Sequence, residues 1–245
     1  MGLFDKKYCD ICGEKIGMLG NKKLDDGNCC KSCVGKLSPW FTGRKKSTVE
    51  QIKQQLEYRE ANKAAAAAFH TTKSYGTSTK LLVDEDARKF CVTSASNIAD
   101  ANADILDYSM VTGCDYDVSE SKSELKTKDA QGNEVSYRPA RYEADYDFYV
   151  TVHVNHPYFD DMRFKVNGSS ITIEGITINP GGNPEYRKYE KMTQDIQAAV
   201  EAMRQGVRDE IAAANAPKKA VKCPYCGATT TPENGRCEYC GGPIE

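Results

Sequence analysis

Four cysteine pairs of the form C-x2-C, two near each end of a 245-residue chain, restrict what this sequence can fold into more than any other feature. At the front stand Cys9-Asp-Ile-Cys12-Gly and, after a seventeen-residue spacer, Cys30-Lys-Ser-Cys33. At the back stand Cys223-Pro-Tyr-Cys226-Gly and, after a ten-residue spacer, Cys237-Glu-Tyr-Cys240-Gly-Gly. A C-x2-C turn brings two sulfurs onto one edge of a tetrahedron, with Zn–S about 2.3 Å. The glycine that follows can take the left-handed conformation that lets backbone N–H groups face the sulfurs. Four sulfurs leave no open position, which marks a structural rather than a catalytic site. The expectation is therefore two structural Zn2+ ions, one held by Cys9, Cys12, Cys30 and Cys33, the other by Cys223, Cys226, Cys237 and Cys240. Cys29 competes with Cys30 for the third front position; only Cys30 keeps the two-residue spacing to Cys33, so Cys29 is read as a packing thiol. Buried free thiols or a redox dithiol would account for one lone pair better than for four. Modules this small bury too little apolar surface to fold alone, and metal supplies roughly 10–16 kcal/mol, apparent, in zinc peptides.

The rest of the composition fits a globular chain, with 40% hydrophobic and 28% charged residues. No apolar run approaches the ~20 residues of a membrane helix, and MGLFDKKYCD has no apolar signal core, so a cytoplasmic protein is expected. Met-Gly opens a myristoylation pattern, but Lys6 stands where Ser or Thr is needed. Charge is polarised: formally +5 over residues 1–46, −8 over 47–217 and +1 over 218–245. Each four-thiolate zinc site would add −2.

Between the cysteine modules the period of the apolar residues changes twice. Ser47-x-x-Glu50 reads as a capping box for a helix over 47–69 with Val49, Ile52 and Leu56 on one face and an alanine run behind it, a stiff connector about 30 Å long. TKLLVD and RKFCVTS read as a hairpin around Asp84-Glu85-Asp86, followed by a strand from about Met110 to Val118 and a polar, mobile hairpin tip over 119–137. In RYEADYDFYVTVHVN, Tyr146, Phe148, Val150, Val152 and Val154 share one face of a long strand. HPYFDD reads as a turn, and MRFKVN and SSITIEG as further strands, giving six or seven, largely antiparallel. Asn183 and Pro184 then cap a helix whose Tyr189, Met192, Ile196, Val200, Met203, Val207 and Ile211 form an apolar stripe that needs a sheet to lie on. The expected fold is α+β: a front module (1–46), a connecting helix (47–69), an antiparallel β-barrel or sheet with a C-terminal helix (70–215), a linker (216–222) and a tail module (223–245).

That order of elements resembles the pleckstrin-homology superfold in its bacterial variants over roughly residues 70–214. Ile105-Leu106-Asp107-Tyr108-Ser109-Met110-Val111-Thr112 resembles an "I-x-Y-x-x-I" strand entry seen in such domains. The front, MGLFDKKYCDICGEKIGMLGNKKL with CKSCVGKLSPWF, resembles an uncharacterised bacterial (Firmicutes-type) N-terminal zinc-ribbon family, which implies Cys9, Cys12, Cys30 and Cys33 as ligands and offers no activity to carry over. The tail resembles the short zinc ribbon that ends many bacterial proteins, with Pro232, Asn234 and Gly235 suited to its tight turn.

Motifs for catalysis do not assemble. His153 and His156 in HVNHP lack a partner in sequence, His70 closes a helix, Cys91 and Cys114 stand alone in strands, and NPGGNP has neither a P-loop nor a G-x-G-x-x-G frame. A non-enzymatic adaptor that binds another protein is the leading expectation. Nucleic acid is the alternative partner, through Lys15, Lys22, Lys23, Lys45 and Lys46 (with Lys31, Lys36 and Arg44) near Trp40 and Phe41. Those two aromatics read first as docking residues and second as a partner anchor. The acidic middle counts against a membrane surface.

Overall fold

A computed structural model describes residues 7–216, 220–231 and 235–244, and they fall into two compact units, Met1–Arg204 and Gln205–Glu245. The first unit opens with two short hairpins, β1 (Lys7–Tyr8) with β2 (Lys15–Ile16), and β3 (Lys22–Lys23) with β4 (Asn28–Cys29). A one-turn helix, α1 (Lys31–Val34), follows. Around these elements Cys9, Ile16, Leu24, Cys29, Cys33 and Leu37 form a small core.

That small core is completed from outside it. Helix α2 (Val49–Ala68) buries Ile52 there and packs Val49 and Leu56 beside it. Its cap is Thr48 with Gln51, one residue after the expected Ser47 with Glu50: the Thr48 hydroxyl accepts from Gln51 N–H and the Gln51 side chain accepts from Thr48 N–H. Ser47 instead donates to the Gly43 carbonyl, 3.1 Å away. The helix is not a free connector. Its buried residues Ile52, Gln55, Arg59, Asn62 and Ala66 recur every three or four positions, so one continuous stripe faces protein along its whole length.

The surface beneath the C-terminal half of α2 is a four-stranded antiparallel sheet in the order β5 (Lys73–Gly76), β6 (Lys80–Asp84), β7 (Lys89–Thr93), β8 (Leu106–Asp107). Alternation along β6 and β7 divides its faces. Leu82 and Cys91 pack with Ala66, Ala103 and Ile105, whereas Leu81, Val83, Phe90 and Val92 enter the main core. A short helix, α3 (Ile98–Ala101), lies between β7 and β8.

A second antiparallel sheet is built on β10 (Glu134–His156), which pairs along one edge with β9 (Val111–Lys128). Its other edge is shared by β11 (Phe159–Lys165) and β12 (Ile171–Gly175). Between those two strands the ladder is closed by Asn167: Phe148 N–H donates to its Oδ1 (2.8 Å) and its Nδ2 donates to the Tyr146 carbonyl (3.1 Å). Tyr146, Phe148, Val150, Val152 and Val154 are buried on the face predicted for them. Against them lie Tyr189, Ile196, Val200 and Met203 of α4 (Pro184–Ala214), capped by the Asn183 side chain, which accepts from Glu185 and Tyr186 N–H.

Three expectations are corrected here. Among the described residues no ladder joins the two sheets, so they enclose one core without closing into a barrel. The stretch 119–137 is strand on both sides of a tight turn at 129–133, with a register shift after Ser136, because backbone pairing continues where neither face is buried. Only Pro157 and Tyr158 form the HPYFDD turn; Phe159 already belongs to β11.

The second unit holds the last turns of α4 and a hairpin, β13 (Val221–Lys222) with β14 (Thr229–Thr230). An isolated bridge pairs Arg236 with Pro243, and the core is Cys223, Cys237 and Ile244 with Val221 beside them. The expected turn at Pro232 and Asn234 lies outside the described residues, as does part of the linker. Among the described residues no helix is long and apolar enough to cross a membrane.

Candidate metal centres

Three of the four C-x2-C pairs adopt the same turn. Gly13, Gly227 and Gly241 have φ of 76°, 75° and 70°. In each turn that glycine's N–H donates to the carbonyl of the pair's first cysteine, Cys9 (2.8 Å), Cys223 (2.9 Å) or Cys237 (2.8 Å). The first cysteine's own N–H closes the turn onto the carbonyl of Glu14, Ala228 or Gly242. Left-handed backbone explains why glycine stands at these positions.

The fourth pair differs. Cys30 is the N-cap of α1, and its sulfur accepts from the backbone N–H of Cys33 at 3.4 Å. The front module is therefore one knuckle facing one helix start, not two matching knuckles. Cys30 N–H in turn donates to Cys9 Sγ at 3.3 Å.

The structure brings together both predicted sets of sulfurs. In the front set Cys9 and Cys33 are 3.9 Å apart and Cys12 and Cys30 are 3.8 Å apart. In the tail set Cys223 and Cys240 are 3.7 Å apart, as are Cys226 and Cys237. Within each set all four sulfurs lie within 4.8 Å of one another. Four sulfurs each ~2.3 Å from a central ion would be separated by about 3.8 Å. A disulfide would need about 2.05 Å, and all eight thiols are free. Each set could thus hold a metal ion, and the all-thiolate donors suit zinc.

Local electrostatics prepare the clusters for a cation. Burial works against the Cys9 thiolate, but N–H groups of Cys12, Cys30 and Ile11 outweigh it and bring its pKa down to about 6. At Cys223 the N–H of Cys226, helped by that of Tyr225, has the same result, about 6. Cys33 is raised, by burial first and then by the other sulfurs. A divalent ion removes that mutual repulsion.

Cys29 lies outside the cluster. It is fully buried, its thiol donates to the Cys30 carbonyl, and burial pushes its pKa up to about 12. Cys91 and Cys114 are likewise buried and pushed up to about 12 by desolvation. Such thiols are inert as nucleophiles.

The aromatic and basic residues separate. Trp40 packs against the main core, and Phe41 packs in the front core with its ring edge-on to Tyr158, 6.4 Å between centroids. Lys22, Lys23, Arg44 and Lys45 line one surface groove of about 540 Å³ with Asn21, Leu24 and Asp25. Lys15 is exposed in β2 and Lys46 is exposed next to Lys45.

Two arrangements escaped the sequence. His153 has Asp161 Oδ1 2.6 Å from its Nδ1 and Asp115 Oδ2 2.9 Å from its Nε2, and these carboxylates raise its pKa. They reach it across strands, since Asp161 is its register partner on β11 and Asp115 stands on β9. Arg59 and Asp104 form a buried ion pair of 2.6 Å, with Ser38 donating to the second Asp104 oxygen at 2.9 Å. Among the described residues His156 meets no carboxylate; its Nδ1 accepts from Tyr158 N–H at 3.3 Å, its ring stacks on Phe159 at 4.0 Å, and burial brings its pKa down to about 4.

Comparison with known families agrees with the front core. A family described as a domain of unknown function (DUF4428) matches residues 7–55. That span contains all four front thiols and runs on to the turn of α2 that carries Ile52, past residue 46, while Leu56 of the same core lies just beyond it. No curated protein and no solved structure matches the chain.

Proposed function

We propose that this chain is a non-enzymatic interaction protein of the cytoplasm in which two structural zinc sites hold rigid surfaces at the ends of a pleckstrin-homology-like binding module. One observation carries the reading: two sets of four thiols, each with sulfurs spaced as the edges of a zinc tetrahedron and none left over for a substrate. The pleckstrin-homology likeness of the centre is supported by element order, two antiparallel sheets around one core followed by a long helix packed on it. The isolated thiols and both central histidines have packing or ion-pair roles, which favours binding over catalysis. The test is capture of partners by the full chain from its native host, with and without a zinc chelator. A defined protein partner that is retained with zinc and lost on chelation supports the reading; a partner set unchanged by chelation overturns it.

A second reading, nucleic-acid binding, is favoured by the groove lined with Lys22, Lys23, Arg44 and Lys45. Such binding falls steeply with salt, so a complex with RNA or DNA that resists salt, or none at low salt, counts against it.

A further inference from the structure

The two most exposed large hydrophobic residues among those described are neighbours. Met18 is 92% and Leu19 87% exposed. They are the central residues of the turn Gly17–Gly20, closed by Gly20 N–H donating to the Gly17 carbonyl at 2.8 Å. Turn centres are ordinarily Gly, Pro, Asn, Asp or Ser, because those residues suit the backbone and water. A methionine and a leucine there gain nothing from the fold they stand on. The turn is nonetheless anchored, since Ile16 immediately before it is buried in the front core.

Cations flank this apolar tip on both sides. Lys15 precedes it in β2, and Lys22 and Lys23 follow it in β3 and share a groove with Arg44 and Lys45. Arg44 is fixed there by donating to the Lys23 carbonyl at 2.7 Å. The acidic groups on the same stretch are Glu14 and Asp25. Asp10 and Asp26 also keep their charge while accepting from Asn28 and Val49 N–H, and with the four-thiolate zinc site at −2 the front module still carries a formal charge of about +3.

We propose that this tip inserts Met18 and Leu19 into the interfacial layer of an anionic lipid bilayer while Lys15, Lys22, Lys23, Arg44 and Lys45 engage lipid headgroups. An apolar insertion with basic flanks is the pattern that binds such a surface. The acidic middle segment opposes such binding only through charges near the surface, because charges more than ~8 Å apart are screened at physiological salt. Nucleic acid fits the same groove less well. Single strands need aromatic platforms, whereas the lining of the groove holds no aromatic, the two side chains at the tip are aliphatic, Trp40 and Phe41 are partly buried, and one exposed ring, Tyr8 beside Lys15, is left to stack. The inference goes beyond the interaction reading, and zinc content is measured on the same preparation, so loss of the metal sites and failure of membrane binding are separate results.

The experiment is co-sedimentation of the zinc-loaded full chain with vesicles of phosphatidylcholine alone or with phosphatidylserine added. Binding to the anionic vesicles only, weakening with salt, is expected. Met18→Ser/Leu19→Ser changes only exposed positions, so it folds, and it should weaken binding about tenfold or more. Each of Lys22→Ala and Lys23→Ala should weaken it about fivefold, the equivalent of ~1 kcal/mol per lysine. No binding to anionic vesicles, equal binding to neutral ones, or binding unchanged by the tip variant overturns the proposal. So does retention on single-stranded RNA without retention on vesicles.

Discussion

Removing the Arg59 guanidinium should destabilise the first unit more than any other change to a charged side chain there. Arg59 donates to Asp104 at 2.6 Å, to the Lys36 carbonyl at 3.3 Å and to the Asn102 carbonyl. The Asp104 side chain has no exposed surface. In Arg59→Met a carboxylate is left in the interior with only the Ser38 hydroxyl and its own backbone N–H, and breaking a buried pair in this way costs about 3–5 kcal/mol. A domain is stable by about 5–15 kcal/mol in total, so the urea midpoint should fall by a large fraction. In Arg59→Met/Asp104→Leu the stranded charge is gone. Only the Lys36 and Asn102 carbonyls, the Ser38 hydroxyl and the backbone N–H at position 104 then lose partners, and the double variant should recover at least ~1 kcal/mol over the single one. Trp40, whose backbone N–H donates to that same Ser38 hydroxyl, is the chain's one tryptophan, so its fluorescence reads the transition at this junction. A pH series adds a sign. Burial raises the Asp104 pKa against the pull of Arg59, and losing Arg59 raises it further. A carboxyl whose folded pKa exceeds its unfolded value loses stability as pH rises between the two. The deficit of Arg59→Met should therefore be larger at pH 8 than at pH 5.5. Single and double variants of equal stability, or a single-variant cost under ~1 kcal/mol, would refute the reasoning.

Further expectations concern the thiols, the knuckle glycines and the histidines. Cys29→Ala should leave zinc content unchanged, whereas Cys30→Ser should lower it by the front ion; elemental analysis of both variants separates the two neighbours. Gly13→Ala puts a Cβ on left-handed backbone in otherwise open space. The strain, ~1–2 kcal/mol, should weaken front-site zinc about 5- to 30-fold in a chelator competition if binding and local folding are coupled. His156, with a folded pKa of about 4 against the ordinary 6.5, should cost stability as pH falls from 6.5 toward 4, up to about 3 kcal/mol. His156→Phe should remove that slope in urea titrations. His153 has the opposite sign: its raised pKa stabilises below pH 6.5 and is lost as pH rises through the folded value. Being partly exposed it contributes ~1 kcal/mol or less. An NMR titration should place His153 above and His156 below the ordinary histidine value.

Much of the candidate site was legible because its determinants are local. A C-x2-C-G knuckle needs only five consecutive residues, so Cys9-Gly13, Cys223-Gly227 and Cys237-Gly241 could be read directly. The Asn183-Pro184 cap and the alternating apolar face of β10 are local in the same sense. What escaped depends on pairing at a distance. Arg59 and Asp104 are 45 positions apart, and His153 is 38 from Asp115, so nothing short of sheet register and helix docking reveals them. The sequence around the α2 cap holds two overlapping boxes, Ser47 with Glu50 and Thr48 with Gln51, and pattern alone does not distinguish them. The stretch 119–137 has no apolar alternation, since both faces meet water, and only its ladder of backbone hydrogen bonds makes it strand. The helix over 47–69 reads as a connector because Gln55, Arg59 and Asn62 are polar in sequence, yet with Ile52 and Ala66 they form its buried stripe.

Zinc and sulfur measured together on the purified, reduced full chain put the central claim to its most direct test. Elemental analysis should give two zinc ions per chain, and zinc-edge X-ray absorption should give four sulfur neighbours at about 2.3 Å. Fewer than two ions, or oxygen or nitrogen in the coordination shell in place of sulfur, would contradict the assignment of Cys9, Cys12, Cys30, Cys33, Cys223, Cys226, Cys237 and Cys240 as two structural zinc sites.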